Sequence, residues 1–406
     1  MLDIGNVEDI LTSQLPTALQ SGKTGCQDMA KLLARNSDLP QDNLDALLFE
    51  AVAQVNDTLF PAISQIEMVY TEGCNLACTY CFEKDMLGHR RMPEEVAKKA
   101  VDLLFRYAKN EQELHIAHFG GEPLVNFRAV KMTTEYAEEK ARETGKKVCF
   151  NMTTNGTLIN DHIAQYCADH NIMVMVSLDG LQEANDRFRI DKKGRGTFDR
   201  AFAGLMKLAG YQDWVGVKMT VMPGNCDKLL DDVKFLHDAG VNQFTIGYAT
   251  GVDWPEDERR AYVTNLEKLH HWYMAHRDGP LLVTEFEEED PGPSYFGCQA
   301  GRSSVSITVD GEVSPCSKVL AMDKTHLLAR LGDVTHGLYE LKNRVDLVGC
   351  GKLKTACGAQ GIDDSYQGGC FATNYEANGD LYHPNATDHD FSLRLRNSCA
   401  GCAAAG

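Results

Sequence analysis

Cys74, Cys78 and Cys81 stand at C-x3-C-x2-C spacing in the stretch GCNLACTYCF. Three thiolates within eight residues can hold three corners of a cube-shaped iron–sulfur cluster and leave its fourth iron open to a ligand that is not protein. The plainer alternative is a zinc clip, but zinc takes four ligands, and the nearest fourth candidate is His89. Seven more of the 14 cysteines, Cys298, Cys316, Cys350, Cys357, Cys370, Cys399 and Cys402, crowd into the last quarter of the chain. Cys26, Cys149, Cys167 and Cys226 are scattered among helical or strand patterns and read as buried packing residues. Other polar groups recur after apolar runs: Gly120-Gly121-Glu122-Pro123, Thr153-Thr154-Asn155-Gly156 and Ser177-Leu178-Asp179-Gly180. Singly, each reads equally well as an ordinary polar turn.

The elements that must position these residues follow from periodicity. Strand-like runs occur at 66–70, 115–119, 148–152, 172–177, 215–221 and 243–248, and amphipathic helical stretches at 93–109, 126–143, 160–169, 197–209 and 227–239 lie between them. Pro93-Glu94-Glu95 is a helix start signal, and Gly210 and Gly240 fall where helices should stop. Strands alternating with helices predict an α/β fold with a parallel sheet, whose chemistry gathers at the carboxyl ends of the strands. Residues 1–64 read as a helical amino-terminal segment, with Leu44, Leu47, Leu48 and Ala51 on one face. Residues 251–297 read as an acidic linker with one helix. Residues 298–406 are Gly- and Cys-rich with little apolar periodicity, so metal clips are a reasonable source of their stability.

The chain has 406 residues, 43% hydrophobic and 24% charged, with a formal net charge of −18. That composition is globular rather than disordered. No apolar run approaches the ~20 residues of a membrane helix, and the start MLDIGNVEDILTSQ lacks the positive opening of a secretory signal. The expectation is a cytoplasmic protein with no membrane partner, in a compartment where cysteines serve metals or catalysis rather than disulfides. An acidic balance disfavours nucleic acid, which needs clustered Lys and Arg.

The C-x3-C-x2-C motif, with Tyr80 and Phe82 flanking its last cysteine, resembles the signature of the radical S-adenosylmethionine (radical SAM) enzymes. Three further matches follow in order: Gly120-Gly121-Glu122-Pro123 resembles the family's GGEP motif, which holds the methionine amino group, while Asn155, Ser177 and Asp179 fall where the family lines the ribose. Asp186-Arg187-Phe188-Arg189 looks like the segment whose arginine pairs with the methionine carboxylate, and Arg189 is the residue assigned to it. With Phe82, these are the cofactor-binding residues that the resemblance implies. It covers about 65–250 and implies a partial (β/α)6 TIM-like barrel, a [4Fe–4S] cluster with S-adenosylmethionine, reductive cleavage of that cosubstrate, and hydrogen abstraction from a substrate. An electron donor such as flavodoxin or ferredoxin is implied with it.

The carboxyl-terminal part resembles the SPASM extension of radical SAM enzymes that modify peptides and proteins. Cys298-x12-Gly311-x4-Cys316 looks like its opening, with Gly311 suited to a hairpin turn, and the stretches 368–375 and 378–384 resemble peptide maturases that make thioether crosslinks. The usual cysteine four residues before Cys370 is replaced by Tyr366, so seven cysteines stand where two cysteine-ligated clusters need eight. Either one auxiliary cluster has an open or non-cysteine ligand, for which Asp363, Asp364, His383 and His389 are candidates, or only one auxiliary cluster exists; Cys399 and Cys402 also suit half a zinc site. In sulfatase-maturating members the proposed base is an aspartate after the second SPASM cysteine, where this chain has Ser317.

The expected function is therefore a peptide maturase that crosslinks a ribosomally made precursor peptide (RiPP biosynthesis), with thioether formation favoured. Sulfatase-maturating-type protein oxidation, peptide epimerisation and a non-catalytic zinc scaffold are the alternatives. Only 65 residues precede the first strand-like run and they read as helices, so leader binding is expected from a separate protein or another surface.

Overall fold

The computed structural model describes residues 40–287, 299–322, 327–348, 359, 369–391 and 394. Of the residues singled out above, Cys26, Cys298, Cys350, Cys357, Asp363, Asp364, Tyr366, Cys399 and Cys402 lie outside them.

Helix α1 (Gln41–Leu59) leads into strand β1 (Gln65–Val69), and strand–helix alternation follows. The succession is α2 (Glu94–Tyr107), β2 (Glu113–Phe119), α3 (Phe127–Thr144), β3 (Lys147–Thr154), α4 (Asp161–Asp169) and β4 (Ile172–Ser177). It continues with α5 (Gln182–Phe188), α6 (Phe198–Ala209), β5 (Gly216–Val221), α7 (Leu229–Asp238), β6 (Gln243–Tyr248), α8 (Glu256–Met274) and the short β7 (Leu282–Val283). Strands β1 to β7 pair in sequence order, all parallel. The six strand-like runs of the sequence all fall on strands, within two residues at each end.

Local chemistry explains the boundaries. Pro93 sits in extended conformation before α2, whose first turn carries Glu94 and Glu95 beside the positive end of the helix dipole. Asn160 caps α4 by accepting from the Ile163 amide. Gly145 ends α3 in the left-handed conformation. One face of each strand is packed under helices: Ile66, Met68, Ile116, Phe150, Met152, Val174, Val176, Val217, Met219, Phe244 and Ile246 are buried. The alternate residues form a polar, partly open face, which is the concave side of the sheet.

Two expectations are modified. The segment 251–297 does more than link, because α8 packs on α7 and β7 extends the parallel sheet. Beyond it, β8 (Ser304–Ile307) joins the other edge by pairing parallel with β1, and β9 (Glu312–Ser314) and β10 (Gly332–Asp333) continue it antiparallel. Gly311, at φ 85°, makes the β8–β9 turn. On α1, Leu44, Leu48 and Ala51 are buried but Leu47 is exposed; Val52 completes the buried face in its place. The remaining helices are α9 (Ser317–Met322), α10 (Leu341–Val348) and α11 (Phe371–Asn378). Among the described residues, no helix is long and apolar enough to cross a membrane.

Candidate active site

A cavity of about 280 Å³ opens at the carboxyl ends of the strands. Its wall takes Cys74, Cys78, Cys81 and Phe82 from the loop after β1, Gly120, Gly121 and Glu122 after β2, Thr153 and Asn155 at β3, Ser177 at β4, and Arg189 after α5. That one cavity touches successive strands from β2 to β6 shows that the sheet curves around it.

The cysteine loop is braced on every side. Ala77 and Thr79 donate backbone bonds to Ile190 and Phe188, and Asn155 Nδ2 donates to Asn75 Oδ1 at 2.8 Å. The three cysteines are free and partly exposed. Burial pushes the Cys74 and Cys81 thiols up to about 11 and raises Cys78 as well; bound metal would deprotonate all three. The sulfur atoms do not all lie within 4.8 Å of one another, whereas a single tetrahedral zinc with bonds of ~2.3 Å would hold them about 3.8 Å apart. The sulfurs are thus too far apart to share one tetrahedral zinc as they stand, and a set of three thiolates is the donor type that a multi-iron cluster takes.

The double glycine is sterically required. Gly120 and Gly121 have φ of 90° and 43°, and a Cβ on Gly120 would stand 2.8 Å from Val69 Cα. A Cβ on Gly121 would press on the Gly73 carbonyl, next to Cys74. The turn sends Glu122 inward, where its carboxylate accepts from Thr154 Oγ1 at 2.6 Å, the Leu124 amide at 3.1 Å and the Asn155 amide at 2.8 Å. Burial raises its pKa, opposed by these bonds.

Asp179 lies behind the cavity wall. Its carboxylate accepts from the Tyr80 hydroxyl, from Arg189 Nη2 at 2.9 Å and from the Thr220 amide at 2.9 Å. Arg189 lines the cavity, is 8% exposed, and stacks over the Tyr80 ring at 5.3 Å. The buried Asp179–Arg189 pair therefore fixes the arginine at the wall and ties the cysteine loop to the end of β4. Phe82 stacks on Phe119 and receives Lys318 over its ring. Asn155 reaches the wall, but its amide is engaged with Asn75 and Thr157.

Sequence reading missed Glu83, Lys218, Thr220, Tyr248 and Thr250 on the same wall. Burial and repulsion from Glu67 push Glu83 up to about 7, opposed by a Gly121 amide bond. Lys218 reaches solvent through the cavity, yet enough protein surrounds it that its ammonium is pushed down, with Glu67 and Glu285 opposing. The period-two alternation of β5 places Lys218 and Thr220 together, and that signal was readable.

Cys316 and Cys370 precede α9 and α11, two short helices that pack on each other. A second cavity of about 400 Å³ runs from Tyr80, Cys81 and Phe82 past Thr250 and Lys318 to Tyr375 and Glu376, so the cysteine loop faces these helices. His383 pairs with Asp380 at 3.1 Å. Asp388, near the position expected for a later cysteine, accepts from Tyr248 and Thr373.

A model of the radical SAM superfamily matches residues 68–236. A serine-type anaerobic sulfatase-maturating enzyme of Klebsiella aerogenes is 30% identical over 299 residues, 64% of this chain and 68% of that protein. The chain belongs to the radical SAM superfamily. The sporulation killing factor maturation protein SkfB of Bacillus subtilis is 23% identical over 265 residues, 64% of this chain and 61% of SkfB. An uncharacterized protein of Methanocaldococcus jannaschii, MJ0907, is 31% identical over 175 residues, 43% of this chain and 59% of its own length. Relatives thus include sulfatase-maturating enzymes and a sporulation killing factor maturation protein, and the chain spans under two thirds of two of them. Two solved structures share the fold. The anSMEcpe structure with bound AdoMet and Cp18Cys peptide has a TM-score of 0.66 at 18% identity, covering 84% of this chain and 98% of that one. Streptococcus suis SuiB bound to precursor peptide SuiA has a TM-score of 0.57 at 16% identity, covering 94% and 89%. The radical SAM domain implies a [4Fe–4S] cluster with S-adenosylmethionine.

Proposed function

We propose that this chain is a radical SAM peptide maturase that crosslinks a ribosomally synthesised precursor peptide. The observation that carries the reading is the single cavity where Cys74, Cys78 and Cys81 meet the double-glycine turn, Ser177 and Arg189. In this reading the three cysteines hold the cluster, and Phe82 packs beside it. Gly120 and Gly121 let backbone approach the cosubstrate, Glu122 with Asn155 and Ser177 orients it, and Arg189, held by Asp179, faces its carboxylate. When bound, the cluster and cosubstrate supply reductive cleavage and hydrogen abstraction. The chain's own part is to bind, orient and exclude water.

Cys298, Cys316, Cys350, Cys357, Cys370, Cys399 and Cys402 would ligate one or two auxiliary clusters; Cys316 and Cys370 stand just before α9 and α11, the helices that line the second cavity opposite the cysteine loop. The substrate peptide would enter between these layers, and flavodoxin or ferredoxin would supply electrons. A thioether is the favoured crosslink, on the resemblance of 370–384 to thioether-forming maturases. Similarity to SuiB, solved with its precursor peptide, and to SkfB supports a peptide substrate.

Similarity to sulfatase-maturating enzymes supports a second reading, protein oxidation of that kind. Against it, Ser317 follows Cys316 where that chemistry's proposed base is an aspartate. Glu67 does reach this place, accepting hydrogen bonds from Ser306 and Ser317.

The test is anaerobic incubation of reduced, cluster-loaded protein with S-adenosylmethionine and a candidate precursor, a short peptide encoded by a neighbouring gene. A crosslink gives 5′-deoxyadenosine and a peptide lighter by two hydrogens. Deoxyadenosine with unchanged peptide mass indicates epimerisation. Turnover of a Cys- or Ser-bearing sulfatase peptide instead would establish the second reading.

A further inference from the structure

At the other end of the concave face, β2 and β3 bring together Glu113, His115 and Cys149. One ligand atom from each lies within 4.8 Å of the others, and among the described residues no other His, Cys, Asp or Glu group closes this tightly. His115 and Cys149 are register partners on adjacent parallel strands, and Glu113 stands two residues before His115 on the same face. Period-two alternation places them on the side that carries Phe119 and Thr153 to the active-site cavity. Four residues of strand rise separate His115 from Phe119, about 13 Å, so this cluster is a separate place. Cys149, which the sequence suggests is buried packing, is partly exposed here.

We propose that Glu113, His115 and Cys149 form a mononuclear zinc(II) site that ties the amino ends of β2 and β3 together. A thiolate, an imidazole and a carboxylate are the donor types that zinc takes, and three protein ligands leave a fourth position for water. With bonds of ~2.0–2.3 Å a tetrahedral ion holds its ligand atoms about 3.3–3.7 Å apart, and His115 Nε2 already stands 3.4 Å from Glu113 Oε1. Both strands are flanked by neighbours in the sheet, so the donors sit on rigid backbone. Lys147, the register partner of Glu113, donates to its carboxylate at 2.8 Å and also interacts with Cys149. The Lys147 side chain is 67% exposed and can swing into solvent when the cation takes both anionic ligands.

The full chain, with its iron–sulfur clusters reconstituted anaerobically so that the cluster cysteines are occupied, is dialysed against a weak chelator, titrated with zinc(II) alone and examined by elemental analysis and zinc K-edge absorption. The site predicts about one zinc per chain with a single sulfur at ~2.3 Å. Cys149→Ser and Glu113→Gln each weaken binding by more than about tenfold with the circular dichroism spectrum unchanged. Lys147→Met, which removes only the competing ammonium at an exposed position, tightens binding. A shell of three or more sulfurs, zinc binding indifferent to Cys149→Ser, or no zinc above background would overturn the assignment.

Discussion

Substituting Gly121 by alanine tests how tightly the double-glycine turn is coupled to the cysteine loop. Two costs add. Gly121 has φ 43°, and an L-residue there loses ~1–2 kcal/mol. The new Cβ would also stand 2.9 Å from the Gly73 carbonyl carbon and 3.1 Å from the Thr71 oxygen. Restoring an ordinary separation of about 3.5 Å from that carbon alone displaces Gly73 by roughly 0.6 Å, its carbonyl oxygen lies nearer still and requires more, and Cys74 is the next residue. Overpacking of this kind costs ~1–3 kcal/mol, for a total of about 2–5 kcal/mol. The displacement also strains the Glu122 amide bond to the Gly73 carbonyl, 2.9 Å long. Urea unfolding gives the stability change, and iron and sulfide content after anaerobic reconstitution reports on the loop. Gly145→Ala is the control: φ is 70° and nothing lies within 4 Å of the new Cβ, so only the dihedral cost of ~1 kcal/mol applies and iron content is unchanged. Equal effects at the two glycines would refute the steric coupling.

Arg344→Met removes a fully buried guanidinium that donates to Asn56 Oδ1 at 2.6 Å and to the carbonyls of Arg302 and Gly301, and lies 4.5 Å over Phe60. Leaving those acceptors unpaired should cost about 3 kcal/mol or more, read as a lowered urea midpoint. Asp232 is buried against Gly180 and accepts from the Leu181 amide, and burial pushes its carboxyl up to about 6 from 3.8. The folded state therefore holds this proton more tightly than the unfolded chain; its stabilising contribution is complete below about pH 4 and lost as pH rises through 6, amounting to roughly 3 kcal/mol. Asp232→Asn should flatten that slope, seen as a melting temperature gaining on the parent between pH 4.5 and 7.5. Glu122→Gln keeps shape and removes charge. The turn should persist by circular dichroism while S-adenosylmethionine affinity, measured by equilibrium dialysis, falls more than about tenfold.

The strands were legible because each carries an apolar face that a helix must cover, and Ile66, Met68, Ile116 and Val174 are those residues. The turns at their ends were legible through residue types with a local job, Gly120 and Gly121 above all. What periodicity could not supply was pairing across distance. Asp179 and Arg189 meet only because α5 turns the chain back, and Tyr80 joins them from another loop. Lys218 and Tyr248 belong to runs read only as strands, and the curvature that gathers them around one cavity is a property of the whole sheet. Cys149 illustrates the reverse: a lone cysteine in an apolar run, it acquires His115 as a partner only through strand register.

In the proposed function Cys74, Cys78 and Cys81 hold the cluster that cleaves S-adenosylmethionine. The most direct measurement is 5′-deoxyadenosine formation by the anaerobically reconstituted, dithionite-reduced chain beside the variant with all three cysteines changed to alanine. Deoxyadenosine is expected from the parent and none from the variant, whose carboxyl-terminal cysteines are intact. Equal deoxyadenosine from both, or none from an iron-loaded parent, would contradict it.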